Sequence, residues 1–424
     1  MHLTLAYGTT GLALDLDEAR YDATVLLPKD PPAHPDAKAA FTAAVDRPYG
    51  CAPLAAIAQA KRPRRVAIAI ADHTRPVPDR LLVPWIVERL GVRDDQVTIL
   101  IGTGTHRSST PEELKRMLGD AAGRFAIVNH DCQKQDDLVL VGRSACGGEC
   151  WLNRHWVEAD LRLATGFIEP HFFAGFSGGS KGVVPAIAGL KTVQHFHRAS
   201  LIAHPGTTWG DPRANPLQAL TREMTALCPP DFIVNVTLNL GKAITAVYAG
   251  ATVAAHDAGC AAALHEAMIP VARRFPVVVT TNSGYPLDQN FYQTVKGISA
   301  AARIVADGGT IIVASRCNAG LPDEGEFRAL LADPRPSADL LAAILASERT
   351  PHDQWQVQTL LQCAQRARIV LCSDLPPADR ALTRTAHADH PATALTAEHL
   401  ARGGGRLPVA VMPMGPLTIP SLIG

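Results

Sequence analysis

Short, mostly unbroken apolar runs alternating with helix-like stretches constrain this chain more than any other feature. One set lies at residues 66–71, 97–101, 125–129 and 161–165, and a later set at 277–280, 311–314, 369–372 and 409–411. A strand with one wet face alternates apolar and polar residues, whereas a strand apolar on both sides belongs in a parallel sheet covered by helices. Helical patterns at residues 81–90, 111–118 and 299–306 separate most of the runs. The alternation predicts an α/β fold of two domains with largely parallel sheets and an active-site cleft between them.

At roughly 150 residues per domain, 424 residues suit two domains better than one. The break is expected near residue 270, where an Ala-rich helical stretch (251–268) gives way to Pro270 and a fresh strand. Residues 1–270 then form the first domain and 271–405 the second, with the tail 406–424 able to pack back onto the first. Residues 3–16 read as a hairpin around a glycine-bounded turn.

Hydrophobic residues make up 47% of the chain and charged ones 19%, which excludes a disordered chain. The 40 basic and 40 acidic side chains balance, so no long-range attraction to nucleic acid or acidic membranes is expected. No apolar run reaches the length of a membrane span, and the first sixteen residues lack a signal-peptide pattern. Nine scattered cysteines suit a reducing compartment better than a disulfide framework, and together these features point to the cytoplasm.

Several strands run straight into polar or glycine-rich loops: Asp72-His73-Thr74-Arg75-Pro76, Gly102-Thr103-Gly104-Thr105-His106-Arg107, and Asn282-Ser283-Gly284. In open α/β sheets ligands sit beyond the carboxyl ends of strands. The richest stretch runs from Glu169 through His171 to Gly175, Gly178, Gly179, Lys181 and Gly182. Such a loop lets backbone approach a ligand closely, although it lacks the Gly-Lys-Ser/Thr ending of a phosphate-binding P-loop. Lys181 is either a functional amine there or an ordinary exposed lysine. His106 and His171 are placed for acid–base work. His195 and His197 are two apart, so on a helix they diverge, and at most one suits a given metal ion. Gln293 and Lys296, three apart near a helix start, share a face that can take a carboxylate. Cys146 and Cys150 lack a partner pair at zinc spacing. The Gly102-x-Gly104 pair lacks the third glycine of a dinucleotide fingerprint, which disfavours a conventional NAD-dependent dehydrogenase.

Taken in order, Asp72 to Pro76, Gly104 to Arg107, His171 to Pro185, the Lys181-to-His197 spacing, Tyr292-Gln293-x-x-Lys296 and Gln354-Trp355-Gln356 resemble the nickel-pincer lactate racemase family. The resemblance covers nearly the whole chain. It implies a racemase or epimerase of 2-hydroxy acids that uses a nickel-pincer nucleotide, a pyridinium mononucleotide bearing two sulfur groups and a nickel–carbon bond. It further implies that Lys181 carries this group covalently and that His197 ligates nickel. His106 and His171 would be the acid–base pair. Asp72, Gly178, Gly179, Tyr292 and Trp355 would hold the cofactor or line its pocket. Arg75, Gln293 and Lys296 would orient the substrate. The implied partners are a small 2-hydroxy acid and the enzymes that make the cofactor, with no nucleic acid or membrane. Two other readings use the same residues: a zinc hydrolase built on His106, His171 and His197, and a non-catalytic anion-binding protein that keeps Arg75 and Lys296.

Overall fold

The computed structural model describes residues 1–322 and 325–423 and divides the chain into two compact units. One comprises Asp30–His197 and Gly206–Glu266; the other comprises Met1–Lys29, Arg198–Pro205 and the chain from Ala267 onward.

The first unit is built on a six-stranded sheet. Its order is Ile244–Gly250, Phe232–Leu238, Leu161–Phe167, Val66–Ala71, Val97–Gly102 and Ala126–Asn129, and only the first pair is antiparallel. Val66 through Ile70 and Ile99 through Ile101 are buried without a break, so both faces of these strands are covered. Each valine, leucine or isoleucine side chain among them contributes about 1.5–3 kcal/mol by leaving water. Helix Asp79–Leu90 packs Leu82, Val83, Ile86 and Val87 onto this core at helical spacing. The sheet order places the carboxyl ends of Val66–Ala71 and Val97–Gly102 side by side, with Leu161–Phe167 flanking the first.

The second unit holds another six-stranded sheet, ordered Ala386–His387, Ala367–Cys372, Val305–Ala314, Phe275–Thr281, Leu407–Met412 and Tyr21–Val25, and wholly parallel. Its core joins Val277, Val279, Ile312, Val409 and Val411 to Leu5, Leu14 and Tyr21 from the start of the chain. The predicted early hairpin is present as His2–Leu5 paired with Leu12–Asp15.

Three sequence expectations need correction. Met1–Lys29 lie in the second unit, because Tyr21–Val25 completes its sheet against Leu407–Met412. The tail also stays in the second unit: Leu407–Met412 pairs with Phe275–Thr281, and Ile419–Leu422 pairs with Met268–Val271. Finally, residues 299–306 are not one helix. Helix Phe291–Ala302 ends at Arg303, and strand Val305–Ala314 begins two residues later, with a register shift where Asp307-Gly308-Gly309 interrupts the apolar pattern. No helix among the described residues is long and apolar enough to cross a membrane.

Candidate active site

In the first unit the site residues stand beyond neighbouring strand ends. Val66–Ala71 delivers Asp72, and Val97–Gly102 leads through Thr103 to His106. Asp72 is buried, and Oδ2 lies 2.7 Å from His106 Nδ1 while the Thr74 hydroxyl donates to Oδ1 at 2.6 Å. Burial alone would raise the Asp72 carboxyl. The facing His106, with Arg75 and the Thr74 hydroxyl, outweighs that and holds it well below the usual carboxylate range. An ionised carboxylate only accepts hydrogen bonds, so His106 carries a proton on Nδ1 and its neutral form has the lone pair on Nε2. Both Asp72 oxygens, expected from the sequence to help hold a cofactor, are thus engaged within the chain.

Arg75 donates from Nη1 to the Thr74 hydroxyl at 3.0 Å, and its Nε lies 3.9 Å from Glu169 Oε1. Glu169 opens the segment that follows Leu161–Phe167. There Pro170–His171 folds back antiparallel onto Gly175–Phe176. The turn aims the backbone N–H groups of Phe173 and Ala174 at His171 Nδ1, at 3.1 and 3.2 Å. Nδ1 accepts here, so the neutral His171 ring bears its proton on Nε2. Asn215 steadies this turn, donating from Nδ2 to the Phe173 carbonyl at 2.7 Å while its Oδ1 caps helix Pro216–Ala226.

Past this hairpin, Gly178 and Gly179 take positive φ values of 80° and 57°, which L side chains rarely adopt, and a short 3₁₀ turn, Gly179–Gly182, presents Lys181. Burial, and secondarily the Arg75 charge, lowers the Lys181 amine to about 7, so a substantial neutral fraction exists at neutral pH. No carboxylate pairs with it among the described residues. Its Nζ lies 5.9 Å from the centre of the Phe196 ring, and the next residue, His197, sets its own ring 4.9 Å from the same ring. Lys181 and His197 therefore both neighbour the Phe196 ring. His197 caps helix Leu190–Phe196 and donates from Nδ1 to the Val193 carbonyl at 2.9 Å, which leaves the neutral lone pair on Nε2. That is the tautomer a metal-ligating histidine adopts. The nucleophilic amine and oriented imidazole fit a covalently attached, nickel-bearing nucleotide in their donor chemistry. His195 diverges, as its spacing predicted: its Nε2 lies 3.3 Å from Cys146 Sγ on the Leu138–Arg143/Glu149–Asn153 hairpin turn. Among the described residues no three His, Cys, Asp or Glu side chains gather as a metal site, so the zinc reading gains no support.

The second unit carries the remaining residues on two helices. Asn290 caps helix Phe291–Ala302 by accepting from the Gln293 N–H at 2.9 Å. Tyr292 accepts at its hydroxyl from Trp355 Nε1 at 2.8 Å, and Gln356 Nε2 donates to the Tyr292 carbonyl at 2.6 Å. These bonds tie helix Gln354–Arg366 to helix Phe291–Ala302. Gln293 is buried, and its Oε1 has no partner among the described residues. A buried unsatisfied acceptor costs about 1–3 kcal/mol, which a ligand hydroxyl or a water would relieve. Lys296 lies half-buried one turn further along.

Sequence reading did not single out Thr74, Glu169, Asn215, Asn235 or His256. Thr74 and Glu169 lay inside quoted motifs and could have been found as polar neighbours of Asp72 and Arg75. The other three gave no local signal.

Sheet order and strand-end side chains define an α/β protein whose candidate site residues stand beyond the carboxyl ends of its strands. Family profiles then resolve the class: the lactate racemase N-terminal domain matches residues 7–210 and the lactate racemase C-terminal domain residues 272–415. The lactate racemase of Thermoanaerobacterium thermosaccharolyticum is 34% identical over 380 residues, covering 88% of each chain. That of Lactiplantibacillus plantarum is 36% identical over 339 residues, covering 79% of each. The solved lactate racemase apoprotein from T. thermosaccharolyticum superposes with a TM-score of 0.91 at 30% identity, over 99% of this chain and 100% of that one. A Thermotoga maritima protein at 16% identity and a TM-score of 0.68, over 87% of this chain and 97% of that one, shares the fold alone. The chain belongs to the lactate racemase family and is a racemase, an isomerase by class.

Proposed function

We propose that the protein inverts C2 of a 2-hydroxy carboxylic acid, lactate or a close relative, with Lys181 carrying a nickel-pincer nucleotide and His197 ligating its nickel. The observation that carries this reading is the contrast between two histidines, His106 with the Nε2 lone pair and His171 with the Nε2 proton, in the same unit as a neutralisable amine.

The α-hydrogen of such an acid is poorly acidic beside a carboxylate, so leaving as a proton is unfavourable. When bound, the nucleotide supplies the acceptor and donor for a hydride at C2. The chain handles the hydroxyl proton. His106 accepts it at Nε2 for one enantiomer, backed by the Asp72 carboxylate, and His171 returns one from Nε2 on the other side of a planar keto acid. In the reverse direction the roles exchange. Arg75, Gln293 and Lys296 are the substrate-orienting residues: each cation suits a carboxylate, and Gln293 Oε1 suits a hydroxyl donor. Gly178 and Gly179 shape the loop that holds the nucleotide, and Tyr292 and Trp355 wall the pocket. The working partners are the acid and the enzymes that make the cofactor, in the cytoplasm.

The test is chiral chromatography of a panel of 2-hydroxy acids incubated with protein coexpressed with the cofactor-making enzymes. Intact-mass measurement on wild type and Lys181→Ala runs beside it. One acid should racemise, and the added mass should vanish in Lys181→Ala. Full mass and activity in that variant would remove the tether.

A further inference from the structure

The glycine loop is gripped from beneath by two buried polar side chains for which the proposed chemistry has no use. Asn235 lies mid-strand in Phe232–Leu238 and His256 lies in the Ala-rich helix Thr252–Ala267, each 1% exposed. Both direct polar atoms at the backbone of the loop. Asn235 Oδ1 accepts from the Gly179 N–H at 2.8 Å, and His256 Nε2 donates to the Ser177 carbonyl at 2.9 Å. They also explain why glycines stand there. A Cβ on Gly178 would come 2.8 Å from Asn235 Oδ1, and one on Gly179 would come 2.5 Å from the His256 ring. The 3₁₀ turn bearing Lys181 starts at that step, with the Lys181 N–H bonded to the Gly178 carbonyl at 3.1 Å.

We infer that Asn235 and His256 are positioning residues that clamp the Ser177–Gly179 backbone and so set the Lys181 amine for uptake of its nucleotide. The inference rests on Lys181 being the point of attachment. The same Nε2 lies 3.3 Å from Cys260 Sγ one turn along its helix, but that thiol needs no imidazole, whereas a leucine at 256 would strand the Ser177 carbonyl. Burial drives His256 down to about 4, which keeps the ring uncharged and adds no cation beside Lys181.

Full-length wild type, His256→Leu, Asn235→Leu and His256→Gln are coexpressed with the cofactor-making enzymes and the fraction loaded at Lys181 is read by peptide mass. Each is also made without those enzymes and treated with trinitrobenzenesulfonate, following the labelling rate of Lys181 alone, with a thermal melt as the folding control. The two leucine variants should load about tenfold less and shift the Lys181 labelling rate severalfold, while His256→Gln, whose amide can still donate to Ser177, should recover most of both. Folded leucine variants that load and label like wild type overturn the clamp. If His256→Leu does not fold, His256→Asn, polar but too short to reach, is read by the same criteria. Wild type that takes up no mass sinks the tether instead, and the labelling rates still decide the clamp.

Discussion

His106 and His171 stand beyond strand ends of one sheet, yet the chain holds them in opposite ways. His106 leans on an ionised carboxylate through Nδ1, whereas His171 is addressed at the same nitrogen by two backbone N–H groups. An acceptor partner forces the proton onto Nδ1, and donor partners force it onto Nε2. The partner, not the residue type, thus decides which nitrogen of each neutral ring holds the proton.

The harshest way to break the contrast is to delete either ring. In cofactor-loaded enzyme, His106→Ala and His171→Ala should each lower kcat by about 10³-fold while keeping the tethered mass. Enantiomers of an acid with one stereocentre are equal in energy, so kcat/KM must fall equally in both directions. An unaffected rate in either variant removes that ring from the chemistry.

Asp72→Asn should cost about 10²-fold, because an amide no longer enforces the Nδ1–H form. Nitrogen NMR of the wild-type protein should find neutral His106 protonated at Nδ1 and His171 at Nε2. The same tautomer at both sites would dissolve the contrast.

A smaller effect separates the two regions by pH. The Asp72 carboxyl is depressed on folding, so its contribution to stability is full above the ordinary unfolded carboxylate value of about 3.9 and is lost as pH falls below it. The stability gap between wild type and Asp72→Asn, measured by urea unfolding, should hold near pH 6 and narrow from about pH 4 downward. His171→Ala, which removes a ring addressed at Nδ1 by two backbone N–H groups, should show no such narrowing. The mildest change is Asn215→Ala, which loosens the His171 turn and a helix cap. We expect about 1 kcal/mol of stability and a severalfold loss of kcat, with His106 tautomerism unchanged.

How much of this was legible beforehand follows the range of the forces. The buried parallel strands were plain in runs such as Val66 to Ala71, since both faces must be apolar. His106, His171 and Lys181 stood out because strand ends and glycine turns leave local marks. The placement of Tyr21–Val25 beside Leu407–Met412 left none, because pairing partners hundreds of residues apart share no local pattern. Asn235 and His256 were hidden for a similar reason: their targets are carbonyls and N–H groups, which every residue possesses. Residues 299–306 misled because Ala-rich sequence reads as helix until Gly308 and Gly309 are weighed.

The parallel pairing of Tyr21–Val25 with Leu407–Met412 also orders events at the ribosome. Asp30–His197 and Gly206–Glu266 can close their own sheet while synthesis continues, but Tyr21–Val25 must wait, unmated, until Leu407–Met412 is made. During that interval its hydrogen-bonding edge is open to other chains. Truncation at the carboxyl end would make that vulnerability permanent.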